Sequence, residues 1–261
     1  GVLGAALATG VSQLLSCLLF LRHFVGRHNT FHLSRFRFDW RIYGRLLPIG
    51  VSDASIELCS GAMTLLFNRT VLRCIGQDGV VSYTVIAYVN TLLTNLMLGV
   101  AQGTQPLLSF YYGKAAQKEC HSLLRYGLIT VALMSLLCFA GLYAFAPQVV
   151  HVYLTNATPK LLEDSILAFR QYAPAFGLMG FNIFAAGYLT AQERSRWAIS
   201  ISLGRGFVIQ GAVLLTMAAA FGRAAIWRAP ALSELLCLAL SALFLRRYLQ
   251  DRQQWQKLPE R

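Results

Sequence analysis

Apolar residues fall into seven long runs: 2–24, 46–72, 80–110, 122–146, 166–190, 197–221 and 230–249. Short stretches between them hold most of the charges. Each run reaches the about 20 mostly apolar residues that a helix needs to cross a bilayer. The period-two alternation of a closed membrane barrel is missing, and an open sheet could not satisfy its backbone in lipid. The pattern therefore predicts an all-α, polytopic transmembrane helical bundle of about seven helices. Gly103 and Pro106 interrupt the third run. Proline lacks a backbone N–H and crowds the preceding turn, so that helix should kink or end there.

Composition sharpens this reading. Of 261 residues, 56% are hydrophobic and 13% charged, against about 45–50% and about 25% in soluble domains. That is too much apolar surface for one compact water-soluble core. The net charge of +12 would suggest nucleic acid in a soluble domain, but RNP, helix-turn-helix and zinc-finger patterns are missing, and no nucleic-acid partner is expected. The basic residues act instead as topology signals. Arg22, Arg27, Arg35, Arg37, Arg41, Arg45, Lys114, Lys118, Arg125, Arg194, Arg196, Arg246, Arg247, Arg252, Lys257 and Arg261 fall on one side of the membrane. Arg69, Arg73, Lys160, Arg170, Arg223 and Arg228 fall on the other. The carboxyl terminus is thus expected in the cytoplasm and Gly1 outside. An outside start with neither a charged leader nor a cleavage site leads to the expectation that helices precede Gly1. The expected division is 1–25, a last helix of a truncated amino-terminal lobe; 26–45, a basic cytoplasmic loop; 46–249, a six-helix lobe; and 250–261, a cytoplasmic tail. In the loop, aromatic residues interleave with arginines, which suits either a segment on the membrane surface or a solvated linker. Asn156-Ala157-Thr158 is a weak glycosylation signal.

Catalytic signatures are absent: no GxSxG, HExxH, Walker A or GxGxxG in a βαβ setting occurs. The six cysteines form no CxxC, and the five histidines are scattered. No enzyme, metal or cofactor is expected.

The informative residues are the polar ones inside the runs. A charge at mid-bilayer costs at least about 2.5–3.5 kcal/mol, so it faces a bundle interior or a cavity. Asp53, Glu57, Gly61, Thr64 and Asn68 repeat at helical spacing and share one face. Glu57 lies roughly 18 Å along the helix from Arg45, near mid-membrane. Two carboxylates there could bind a cation or carry a proton, or be buried, protonated and hydrogen-bonded. The third run has a polar face of Thr84, Tyr88, Thr91, Asn95, Gly99 and Gln102, which could line a solute path or tie helices together. Pro174 with Asn182 forms another polar element. Arg205 either pairs with an acid or reaches toward the interface. Glu234, close behind Pro230, reads as a first-turn acid favoured by the helix dipole.

Four stretches resemble the multidrug and toxic compound extrusion (MATE) transporters. One is Gly1-Val2-Leu3-Gly4-Ala5-Ala6-Leu7-Ala8-Thr9 with Ser12-Gln13. The most specific is Gly99-Val100-Ala101-Gln102-Gly103-Thr104-Gln105-Pro106-Leu107-Leu108-Ser109-Phe110-Tyr111-Tyr112-Gly113, similar to GxxQGxQPLxSxxxG. The others are Ala186-Gly187-Tyr188-Leu189-Thr190-Ala191, running on to Arg205-Gly206, and Ala225-Ile226-Trp227-Arg228-Ala229-Pro230 with Glu234. The resemblance implies twelve helices in two lobes, of which this chain would supply the sixth of the first and all six of the second. It implies an exporter of drugs or organic cations, in exchange for H⁺ or Na⁺, in the bacterial cytoplasmic membrane, working with a missing amino-terminal lobe. Glu57 falls near an acid that some branches use. Where other branches carry an acid on the helix matching 166–190, this chain has Met179 and Asn182, which puts sodium binding in this lobe in doubt. A lipid-linked oligosaccharide flippase of the same superfamily, a seven-helix receptor, and an inert truncated product remain as alternatives.

Overall fold

The computed structural model describes residues 2–25, 40–155 and 157–255. The described residues are almost wholly helical, and no strand occurs among them. The helices are α1 (Val2–Val25), α2 (Trp40–Cys74), α3 (Gln77–Gly113), α4 (Gln117–Ala144), α5 (Ala146–Tyr153), α6 (Pro159–Ala191), α7 (Ser195–Leu203), α8 (Ile209–Phe221) and α9 (Ala229–Trp255). A π-turn, Gly204–Val208, joins α7 directly to α8, and short 3₁₀ turns lead into α9. The basic loop expected over 26–45 falls mostly outside the described residues, as do Asn156 and the last part of the tail.

The seven predicted runs correspond to α1, α2, α3, α4, α6, α7–α8 and α9. At the start of the connector after the fourth run lies α5, a two-turn helix too short for a hydropathy reading of spans to isolate. Helix α3 does not end at Pro106; it continues through it to Gly113. The carbonyl of Gln102 loses its usual donor there, and the Thr104 hydroxyl bonds to the carbonyls of Val100 and Ala101 at 3.1 and 2.9 Å. Thr158, part of the sequon, caps α6: its hydroxyl accepts from the Leu161 N–H, with Pro159 in the first turn.

The chain divides into two units, Gly1–Ile49 and Gly50–Arg261. In the first, α1 is apolar all round and its leucines are exposed, the signature of a helix that needs lipid or protein about it. In the second, α6 is the hub, packing against α3, α4, α7 and α9. Small residues on α6 (Ala168, Ala173, Ala175, Gly180 and Ala185) permit that close approach. A methyl at Gly180 would meet the Met97 sulfur and the Ser135 hydroxyl, and one at Gly127 of α4 would strike the Phe184 ring. Two apolar clusters result. One surrounds the amino-terminal half of α6 with Phe67, Ile86, Phe169, Phe176 and Leu214. The other surrounds its carboxyl-terminal half with Met97, Val131, Phe184, Leu189 and Ile201.

Four helical stretches are long and apolar enough to cross a membrane on length and composition alone: Gln77–Gly113, Gln117–Ala144, Ser195–Ala224 and Ile226–Asp251. Helix α6 carries Asn182 and is enclosed by its neighbours, so it meets protein rather than lipid and can be less hydrophobic. The protein is an integral membrane protein.

Candidate functional site

The structure sorts the predicted polar residues into two groups. The first is turned outward. Buried positions on α3 (Ser82, Val85, Ile86, Val89, Leu93, Met97) face α6, so Thr84, Tyr88, Thr91, Asn95, Gly99 and Gln102 on the opposite side are exposed. On α2, Met63, Phe67 and Val71 enter the core, which leaves Glu57, Gly61 and Thr64 exposed and Asn68 half-buried. Asp53 belongs to α2, but its side chain lies outside the described residues. Phe67 stacks on Tyr83 at 4.3 Å between ring centroids, a contact between α2 and α3. Thr64 lies within hydrogen-bonding reach of the Tyr83 hydroxyl.

These outward hydroxyls are satisfied locally. Thr64, Thr84 and Thr91 donate to carbonyls four residues back at 3.1, 2.9 and 2.9 Å. Tyr88 stacks on Tyr153 of α5 with ring centroids 5.9 Å apart. Among the described residues, Glu57 has no ion-pair partner.

The second group lies at the waist between the two apolar clusters, with Asn182, Glu234 and Ser241 buried and Arg205 half-buried. Asn182 is 0% exposed. Its amide nitrogen donates to the carbonyl and to the carboxylate Oε2 of Glu234, at 3.0 and 2.7 Å. Its amide oxygen accepts from the Ser241 hydroxyl at 2.8 Å. Arg205, on the π-turn, donates through Nε to Glu234 Oε1 at 2.8 Å. The extra residue of a π-turn is a recurrent way of aiming a side chain sideways, and here it aims Arg205 at α9. Asn182 and Arg205 were expected as site residues. Glu234 was expected as a first-turn acid; it is instead the sixth residue of α9, beyond the first turn, and neutralises Arg205. The signal for this was the spacing of Glu234, Cys237, Ser241 and Tyr248, which marks one buried stripe along α9. Two further buried pairs, Ser82–Ser165 and Tyr248–Gln192, each at 2.7 Å, also escaped the sequence reading.

The sequence model of the MatE family matches residues 48–214, more than half of the chain. The chain belongs to the MatE family. Among MatE relatives, it is 23% identical over 255 residues to the multidrug export protein MepA of Staphylococcus saprophyticus, covering 96% of this chain and 55% of that protein. Its identity to MepA of Staphylococcus aureus (strain NCTC 8325) is 21% over 253 residues, with the same coverage. The chain thus spans about half the length of the curated relatives it matches. Its fold is similar to that of a multidrug resistance MATE family transporter of the MOP superfamily in the outward-facing conformation. The TM-score is 0.85 at 19% identity, covering 97% of this chain and 57% of that one. The inward-facing conformation gives 0.81 at 19% identity, with 97% and 59% covered. A MOP superfamily transporter from Pyrococcus furiosus, described as having a binding pocket of reverse polarity that suggests a different function, gives 0.85 at 20% identity, with 96% and 57% covered. These relatives are named as exporters and transporters, not enzymes.

Proposed function

We propose that this MatE chain forms the carboxyl-terminal lobe of a membrane antiporter, together with one helix of the preceding lobe. The antiporter exports drugs or organic cations in exchange for H⁺ or Na⁺ by alternating access. The observation that carries this reading is the outward polar face of α2 and α3. Glu57, Thr64, Tyr88, Thr91, Asn95 and Gln102 turn away from the lobe's own core, where hydrocarbon would be a costly neighbour. A second lobe set against this face would enclose a polar passage, as two-repeat transporters do around a midplane site. Likeness to both outward-facing and inward-facing transporters supports a lobe that moves as a unit. Among the described side chains, Glu57 brings a carboxylate to a face otherwise made of neutral groups, which favours a cationic cargo over the anionic headgroup of a lipid-linked sugar. Glu57 is the coupling carboxylate in this reading, Asp53 its neighbour one turn away, and Asn68 the far end of the same face. Asn182 and Arg205, held by Glu234, brace the lobe from behind. The carboxyl terminus is cytoplasmic and Gly1 lies outside, in the bacterial cytoplasmic membrane.

The test is efflux of an organic cation dye from cells expressing the chain joined to its amino-terminal lobe. Glu57→Gln should impair export while membrane insertion stays at the parental level. Unchanged drug resistance in that variant removes Glu57 from the mechanism. Reconstituted vesicles with imposed pH or sodium gradients then identify the coupling ion.

A further inference from the structure

Helices α4 and α6 touch closely at Gly180 and part beyond it. Between them runs a groove of about 360 Å³, lined by Ala132, Leu136, Phe139, Pro174, Gly177 and Phe181, among others. Sequence explains the gap. Pro174 has no N–H and its ring crowds the preceding turn, Gly177 contributes no side chain, and Ala132 contributes only a methyl. The groove lies against a membrane-crossing stretch of α4. Leu133, Leu136 and Leu137 of that stretch are 58%, 62% and 70% exposed, so its surroundings are hydrocarbon.

One polar observation points to what fills it. Arg170 stands four residues before Pro174, on the same face of α6 and one turn toward the helix amino terminus. Its Nε is buried and lacks a hydrogen-bond partner. Its guanidinium lies 5.6 Å over the Tyr143 ring, and Tyr143 in turn packs 5.9 Å from Phe139 of the groove. Among the described residues, no carboxylate is within ion-pair distance of Arg170. A guanidinium with an unsatisfied Nε and no carboxylate beside it, at the edge of a membrane span, calls for an anion, and the planar fork of arginine suits a phosphate. Arg170 to Phe181 spans roughly 16 Å along α6, close to the hydrocarbon depth of one leaflet, about half of 30 Å.

We propose that this groove is a phospholipid site: an acyl chain lies along Gly177 and Pro174, and the headgroup phosphate sits on Arg170. The bilayer supplies the ligand, and the site belongs to the leaflet facing the amino-terminal end of α6. It is separate from the polar face of α2 and α3, so it stands whether or not that face carries cargo.

The experiment uses the full chain purified in mild detergent, with phosphatidylglycerol added back and the bound lipid counted by native mass spectrometry. The chain should retain one phosphatidylglycerol. R170Q should lower its occupancy about tenfold, the usual cost of losing a charged hydrogen bond, and R170K, which keeps the charge but not the fork, should restore only part of it. G177L should displace the acyl chain while leaving helix content unchanged, because a Cβ there meets the Phe139 Cβ at 3.4 Å, an ordinary contact, and the rest of the side chain enters the groove. Inorganic phosphate alone should not compete. Equal retention by the parent, R170Q and G177L overturns the proposal, as does competition by inorganic phosphate, which would mark an ion site without a lipid.

Discussion

The outward face of α2 and α3 and the buried waist at Asn182 hold similar polar side chains and dispose of them in opposite ways. On the face, each threonine turns back to its own helix, so nothing on a neighbouring helix is needed to satisfy it. At the waist, Asn182, Arg205, Glu234 and Ser241 satisfy one another across α6, the π-turn and α9. The face is therefore free to change partners without unfolding the lobe. The waist cannot lose a member without stranding a charge or an amide. In the proposed antiporter, this separates the part that would meet cargo from the part that keeps the scaffold rigid.

The largest effect should come from breaking the waist on one side. Glu234→Ala leaves Arg205 uncompensated and should cost about 3 kcal/mol, the low end for a buried pair because Arg205 is 22% exposed, read as a drop in the thermal midpoint of the purified chain. The double variant Arg205→Met, Glu234→Leu should recover most of that loss, because an apolar pair of similar volume often replaces a buried ion pair at little cost. Gly127→Ala is next: its methyl would collide with the Phe184 ring, and such overpacking typically costs about 1–3 kcal/mol. Ser241→Ala should cost on the order of 1 kcal/mol, because it removes one hydrogen bond to Asn182 and leaves the others in place. The smallest stability effect belongs to the face. Thr91→Val should shift stability by less than about 0.5 kcal/mol, as surface changes do, and yet reduce dye export if the face lines the passage. A Thr91→Val loss as large as that of Glu234→Ala would erase the distinction between the two regions.

The helices were legible because bilayer thickness imposes a length on every crossing helix: all seven runs became helical, and four of them are long and apolar enough to cross on length and composition alone. The outward polar faces were legible for a similar reason: periodicity alone places Thr84, Tyr88, Thr91 and Asn95 together. What periodicity could not show was which helix meets which. Glu234 looked like a dipole-stabilised acid because its partners lie 29 and 52 residues away, and no local rule connects those separations. The same limit hid α5, whose two turns are set by packing of Ala146 and Val150 into the core rather than by the bilayer. Pro106 was read as a possible end of α3, but apolar contacts from Ala101 and Leu108 on either side hold the helix through the missing hydrogen bond.

The π-turn at Gly204–Val208 has a consequence for the whole α7–α8 rod. It holds one surplus residue, and each residue of an α-helix turns the next by about 100°. The side chains of α8 are therefore rotated by roughly that amount from where an unbroken helix continuing α7 would carry them. Phe207 and Val208 point outward at the step, and Val213 and Leu214 come round to meet the core only after it. A helical wheel drawn straight through the rod mixes its two sides; drawn as two wheels split at Gly204, each half has its own dry side.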